Sequence, residues 1–272
     1  MRSLIKYLIL SLLISTVYGQ NRALYLDGHE DYITLPGPVV DSDVYTIESW
    51  VLMFGDAGGI EHQNTIFNQG TDVTGCYHSK VLFHAMARAD LPNSTFGIRT
   101  EQGCFETATG PYPGKAEWHH IAGVKDYETL YLYTDGQLIA TGPITQQGSF
   151  SQDIDYTEIG RHRHDGQTFG SYFGLMDEIR IWDSALSQQE IQSRMNSTLS
   201  GGEESLVAYW NFDNDTADDL TGNGHNGILE GEATTVQTNL FSVPANVWGD
   251  LNDDGQLNIS DVIILIDHIL GY

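Results

Sequence analysis

Asp250, Asn252, Asp254, Asn258 and Asp261 occupy positions 1, 3, 5, 9 and 12 of one twelve-residue window, DLNDDGQLNISD. Gly255 stands at position 6, where such a loop must turn sharply, and Gln256 at position 7 can offer its backbone carbonyl. Oxygen donors at this spacing wrap once around a hard divalent cation, and the cation that takes six to eight oxygens in a flexible loop is Ca2+. Asp250, Asp254 and Asp261 would repel one another without a cation between them. A solvated acidic turn is the simpler alternative, and it leaves the complete spacing unexplained.

A second constellation lies in GRHRHDGQTFGSYF, residues 160–173. Arg161, His162, Arg163 and His164 stand together in a chain that has only 12 Lys and Arg, and Phe169, Tyr172 and Phe173 follow. Guanidinium and imidazolium groups hold carboxylate or sulfate through charge-assisted hydrogen bonds, and aromatic faces stack on the apolar faces of sugar rings. The segment is read as a loop between two strands that recognises an acidic or sulfated glycan, through Arg161, His162, Arg163, His164 and Tyr172. The alternative is a solvated loop whose arginines pair with the surrounding acid.

Other candidates are weaker. In GLMDEIRIW, strand alternation places Asp177 inward with Ile179 and Ile181, and Glu178, Arg180 and Trp182 on the other face. A carboxylate among isoleucines must be neutral, hydrogen-bonded or metal-bound. His119 and His120 are adjacent on a strand, point to opposite faces and cannot chelate one ion together. Glycoside cleavage on a β-sandwich needs two carboxylates flanking one bond. No E-x-D-x-x-E run supplies them, and Glu178 and Asp183 fall on opposite strand faces. Nor is there a G-x-S-x-G elbow, an H-E-x-x-H helix or a phosphate loop. The chain is not expected to be an enzyme.

The elements that must carry these residues are short alternating runs separated by Gly, Asn and Asp, among them YITLP, YTIESWV, KVLFHAMA, WHHIAGV and TLYLYTDGQLIAT. In YTIESWV, Tyr45, Ile47, Ser49 and Val51 share one face and Thr46, Glu48 and Trp50 the other. Asp135-Gly136 reads as a two-residue hairpin turn. SALSQQEIQSRM is the one helical interruption, with Ser184 or Ser187 as cap and Leu186, Ile191 and Met195 as its apolar stripe. Residues 1–19 carry Arg2 and Lys6, an apolar run and a small-residue cleavage site after Gly19, the pattern of a secretory signal. The expected organisation is a signal at 1–19, an all-β two-sheet sandwich at 20–237, a linker at 238–247 and a calcium unit at 248–272. In that last unit Val262, Ile263, Leu265, Ile266, Ile269 and Leu270 recur at helical spacing after the loop.

The formal net charge is −25, or −27 once the two cations of residues 1–19 are removed. Such a field disfavours nucleic acid, anionic lipid and acidic polymers as general partners and favours cation uptake. Secretion makes a Cys76–Cys104 disulfide the expected state, with two buried thiols as the alternative.

The order of ALYLDGHEDYITLP, YTIESWV, WHHIAGV, LYTDGQLIA, IGR, FGLMDEIRIWDSALSQQEI and LVAYWNFD resembles a LamG-like (laminin G-like) jellyroll of the concanavalin A-like lectin/glucanase superfamily, over roughly residues 22–235. The resemblance implies an all-β antiparallel jellyroll sandwich, extracellular, binding glycans or proteins. It also implies a structural calcium at Asp27 and Asp177. Residues 248–272, a calcium loop and following helix without the entering helix of an EF-hand, resemble one repeat of a type I dockerin, a module that docks on cohesins; a full dockerin has two. Together these imply a secreted calcium-binding, carbohydrate-binding module, attached to a polysaccharide-degrading system through a cohesin-like partner. The alternatives are a protein-interaction or surface-adhesion module and a divergent glycoside hydrolase.

Overall fold

The computed structural model describes residues 21–55, 63–71, 79–86, 93–98, 106–145, 154–164, 167–238 and 240. Contacts divide the chain into two units, Met1–Gln237 and Thr238–Tyr272. The described strands all belong to the first. They are β1 (Arg22–Asp27), β2 (Tyr32–Thr34), β3 (Tyr45–Met53), β4 (Asn64–Gly70), β5 (Ser79–Met86), β6 (Asn93–Ile98), β7 (Glu106–Pro111), β8 (His119–Lys125) and β9 (Thr129–Thr134). Then follow β10 (Gln137–Pro143), β11 (Tyr156–Ile159), β12 (Arg161–His164), β13 (Gln167–Ser171), β14 (Phe173–Trp182), the helix α1 (Gln188–Arg194), β15 (Leu206–Trp210), β16 (Ile228–Glu230) and β17 (Thr234–Gln237).

They form the expected antiparallel sandwich. One sheet runs β10-β9-β8-β3-β14-β1-β17, with β15 also paired to β14; the other runs β16-β2-β11-β4-β5-β6-β7. The alternation of YTIESWV is realised as read: Tyr45, Ile47 and Val51 enter the core between the sheets with Leu24, Met176, Phe67, Phe83 and Phe96. Asp135 and Gly136 both take positive φ, 50° and 69°, and close the β9–β10 hairpin as a two-residue turn.

The helix is capped by Ser187. Its hydroxyl accepts from the Glu190 amide at 3.3 Å, and its own amide donates to Glu190 Oε2 at 2.8 Å. Ile191 and Leu186 join Trp182, Tyr209 and Val124 in a second apolar cluster, separate from the main core. Direct cross-strand partners point the same way, so this cluster lies on the outer face of the first sheet.

Strand β14 departs from the expected phase. A β-bulge lies between Asp177, opposite Trp50, and Arg180, opposite Glu48, and Glu178 takes φ +52°. The extra residue resets the alternation. Met176, opposite Val51, takes the core position, and Asp177 is turned to the outer face with Trp50. Asp177 therefore does not share a face with Ile179 and Ile181.

Candidate functional site

The outer face of the first sheet is closed around ions. Arg180, 1% exposed at its side chain, sends Nη2 to Glu178 Oε2 at 2.5 Å and Nη1 to Glu48 Oε1 at 3.4 Å. The same guanidinium donates to the carbonyls of Arg194, at 3.1 Å, and Ser197. It thus ties the C-terminal end of α1 to the sheet, where cations are favoured. Glu48 also accepts from Trp182 Nε1 at 3.0 Å and pairs with His120 Nε2 at 3.3 Å. Burial works to raise the Glu48 pKa, but His120, Arg180 and Trp182 together hold it below the usual carboxylate value. Glu178 accepts from Tyr209 Oη at 2.9 and 2.8 Å, and burial outweighs Arg180 and leaves its pKa raised. His119 instead meets Asp135 Oδ2 at 2.9 Å, so the two adjacent histidines serve different partners, as their alternation requires.

The second sheet presents a different array. Glu158, on β11, receives Arg161 Nε at 2.9 Å and Arg161 Nη2, and Arg163 Nη1 stands 3.7 Å away. The Arg161 guanidinium lies 3.4 Å from the Tyr32 ring centroid, and that of Arg163 lies 5.2 Å from the Tyr156 ring. Tyr156 donates its hydroxyl to the Arg163 carbonyl at 3.0 Å. The order across the face is thus Tyr32, Arg161, Glu158, Arg163, Tyr156. Side-chain exposure rises from 2% at Glu158 to 13% at Arg161 and 30% at Arg163. Burial opposes the charge on Arg161, and Glu158 more than restores it, raising the pKa further. The alternation of DYTEIG puts Tyr156 and Glu158 on one face, and the cross-strand partners Ile159, Ile33 and Phe67 fill the other.

Of the five residues expected in a glycan site, the structure brings two together. Residues 161–164 and 167–171 are not a loop but a two-stranded hairpin. His162 turns away from the arginines. It is 5% exposed, 2.6 Å from Gln63 Oε1 through Nδ1, with its ring 5.4 Å from His84 and 5.8 Å from Phe169. His84 is so buried that its pKa falls to about 3. Tyr172 is a correction: it is fully buried in the core, donates to the Leu175 carbonyl at 3.1 Å and lines no surface. His164 closes β12 opposite Gln167, and its side chain lies outside the described residues. Tyr32, Tyr156 and Glu158 escaped the sequence reading. The period-2 pattern around them could have found Tyr156 and Glu158, but not the contact with Tyr32.

Asp27 and Asp177 are not neighbours. Register places Asp27 opposite Phe173 and Leu24 opposite Met176, so Asp177 lies four positions along the strand, about 13 Å from Asp27 at the usual rise per residue. Asp27 Oδ1 accepts the His29 amide at 2.8 Å in a local turn. Asp177 is fully buried. One oxygen accepts its neighbour's amide at 2.7 Å, and Oδ2 has no hydrogen-bond partner. Burial, then the nearby charge of Glu178, pushes its pKa well above the carboxylate range. Among the described residues no cluster of three His, Cys, Asp or Glu is arranged to hold a metal. Asp250, Asn252, Asp254, Gln256, Asn258 and Asp261 of the expected calcium loop lie outside the described residues, as do Cys76, Cys104 and residues 1–19, read as a secretory signal. No helix among the described residues is long and apolar enough to cross a membrane.

The sandwich is similar to a protein of Bacteroides ovatus ATCC 8483 named as a candidate carbohydrate-binding protein, at TM-score 0.55 and 19% identity over 80% of this chain. This chain spans 60% of the length of that protein. It is also similar to a heptameric SAP-like pentraxin of Limulus polyphemus, at TM-score 0.59 and 12% identity over 84% of this chain and 100% of that one. A third likeness is to the CBM40 of the Ruminococcus gnavus IT-sialidase, bound to α2,3-sialyllactose, at TM-score 0.50 and 14% identity over 63% of this chain and 94% of that one. These establish the shared fold. No curated protein sequence matches this one. Residues 26–192, more than half of the chain, match a laminin G family profile, and the protein belongs to the concanavalin A-like lectin/glucanases superfamily.

Proposed function

We propose that this protein is a secreted lectin-like module that binds an acidic or sulfated glycan on the outer face of its second sheet. The observation that carries the reading is the Tyr32–Arg161–Glu158–Arg163–Tyr156 array. It gathers two guanidiniums and two aromatic rings in a chain with 12 cations against 37 acids, and Arg163 remains 30% exposed. A guanidinium is the side chain best shaped for carboxylate or sulfate, and the Tyr32 and Tyr156 rings, Tyr156 being 7% exposed, lie against the two guanidiniums and position them. The module binds without cleaving. The buried carboxylates Glu48 and Glu178 belong to Arg180 and are sealed beneath α1 and its neighbours, where no glycosidic bond can reach them. The named activities of the similar carbohydrate-binding proteins agree with this reading.

Calcium belongs to the same proposal, held by the loop from Asp250 to Asp261, and the repeat that contains it is the attachment point for a cohesin-like partner in a polysaccharide-degrading system. The test is a glycan and polysaccharide array with the full secreted chain, run in calcium and in chelator. Binding to acidic glycans that Arg163→Glu abolishes is expected. A broad array with no acidic hit would overturn the reading. For the metal, isothermal titration should find a calcium site that Asp254→Ala removes; unchanged stoichiometry in that variant would overturn it.

A further inference from the structure

Asn68 on β4 is an orphan. It is 0% exposed, and neither its Oδ1 nor its Nδ2 has a hydrogen-bond partner. No other described carboxamide is orphaned at both atoms. Burying a donor and an acceptor unpaired is costly, and native folds seldom leave such a pair without a reason. The neighbouring residue shows that this sheet can satisfy an amide. Gln69 Oε1 accepts from the Val39 and Val40 amides at 2.8 and 3.0 Å, and its Nε2 donates to the Val40 carbonyl at 2.6 Å.

Register fixes the direction in which Asn68 points. It lies opposite Glu158 on one side and Leu82 on the other. The preceding Phe67 lies opposite Ile159 and Phe83, all three in the core. By alternation Asn68 faces outward, beside the carboxylate that Arg161 and Arg163 share.

We infer that Asn68 is the specificity-determining floor of the glycan subsite and reads a vicinal diol on a sugar ring. The inference rests on the binding reading above. A planar carboxamide offers an acceptor and donors side by side, and two neighbouring hydroxyls are its complement: one donates to Oδ1, the next accepts from Nδ2. A carboxylate accepts only. It could serve Nδ2 but would repel Oδ1, so the anionic group of the ligand goes to Arg163 and the diol to Asn68. The ligand class is therefore an acidic sugar with unsubstituted neighbouring hydroxyls. Asn68 is 0% exposed, so the inference requires the side chains over it to move before a diol can reach the amide, and association is expected to be slower than a steered encounter on an open face.

The test uses the full secreted chain with polygalacturonate, alginate and hyaluronan, each intact and after periodate cleavage of its vicinal diols. The intact polymer should bind the native protein at least tenfold more tightly than its oxidised form. Asn68→Val, which replaces the orphan with a strand-favouring apolar group, should lose that preference while its melting temperature holds or rises. Asn68→Ala, checked for native near-ultraviolet circular dichroism, should lose it as well. If both variants bind like the native protein, the amide is only a buried orphan and the inference fails alone. If the native protein binds none of these polymers and no acidic or sulfated glycan on the broad array, the binding reading fails and this inference with it.

Discussion

Arg180 and Arg163 both pair with glutamate beside a tyrosine ring, on opposite outer faces of one sandwich. Arg180 lies 5.6 Å from the Tyr209 centroid and is 1% exposed; Arg163 lies 5.2 Å from Tyr156 and is 30% exposed. The side-chain chemistry is the same and the consequence differs. Around Arg180 the helix, Trp182 and Tyr209 exclude water, and every charge is committed to another part of the chain. Such a network fixes one packing of α1 on the sheet, and its members cannot be removed singly. Around Glu158 no such lid of helix is packed among the described residues, and on the proposed reading a ligand competes for the guanidiniums. The difference teaches that burial, rather than residue type, separates a structural ion cluster from the proposed recognition surface.

The comparison breaks most visibly if Arg180 is truncated. Arg180→Leu leaves Glu48 and Glu178 buried without their cation, and urea denaturation should show a loss of about 3–5 kcal/mol. A loss under 1 kcal/mol would mean that the network is not sealed. Arg163→Glu should behave in the opposite way. Affinity for an acidic polysaccharide should fall at least tenfold, whereas folding stability should fall by less than in Arg180→Leu, because Arg163 is 30% exposed and Arg161 stays on Glu158. A large loss of stability there would make both faces structural.

Asp177 sharpens the contrast, since it is an acid buried on the closed face without a cation of its own. Its carboxyl keeps its proton in the fold to a higher pH than the ordinary value of 3.8. As pH rises above that value, the unfolded chain releases this proton and the folded chain does not, so stability falls until the folded pKa is passed. Asp177→Asn should remove this slope and raise the melting temperature at pH 7 above that of the native protein. Melting curves between pH 4 and 8 would show it. If the variant instead melts lower in calcium, Asp177 is a metal ligand after all. The smallest effect belongs to the helix cap: Ser187→Ala should cost about 1 kcal/mol and leave glycan binding unchanged. An affinity change would mean that the two faces are coupled.

Sequence alone made the sandwich legible because alternation is a local property. YTIESWV sorts Tyr45, Ile47 and Val51 from Thr46, Glu48 and Trp50 without knowledge of any partner strand, and Asp135-Gly136 names its own turn. Asp177 departs from simple alternation because one bulged residue, Glu178, shifts the phase; Glu178 takes positive φ and meets Arg180 within the motif and Tyr209 from β15. The Arg161–His164 run stood out by composition, but composition does not say which side faces outward. His162 and Tyr172 went inward. The partners of the arginines come from β2 and β11, and Tyr32 is more than a hundred residues away in the chain. Asn68 carries no signal at all in the sequence, since an unpaired amide is defined only by what surrounds it.

Strand β17 pairs with β1 so that Gln237 lies opposite Arg22, and the chain therefore enters and leaves the sandwich at one spot. Tension applied between those two points loads the β1–β17 hydrogen bonds one after another, as a zipper is opened, instead of all at once in shear. Single-molecule pulling through residues 22 and 237 should record β17 peeling away at low force while the opposed sheets stay closed. In a tethered protein, that strand would act as a mechanical fuse that yields before the proposed glycan-binding face is disturbed.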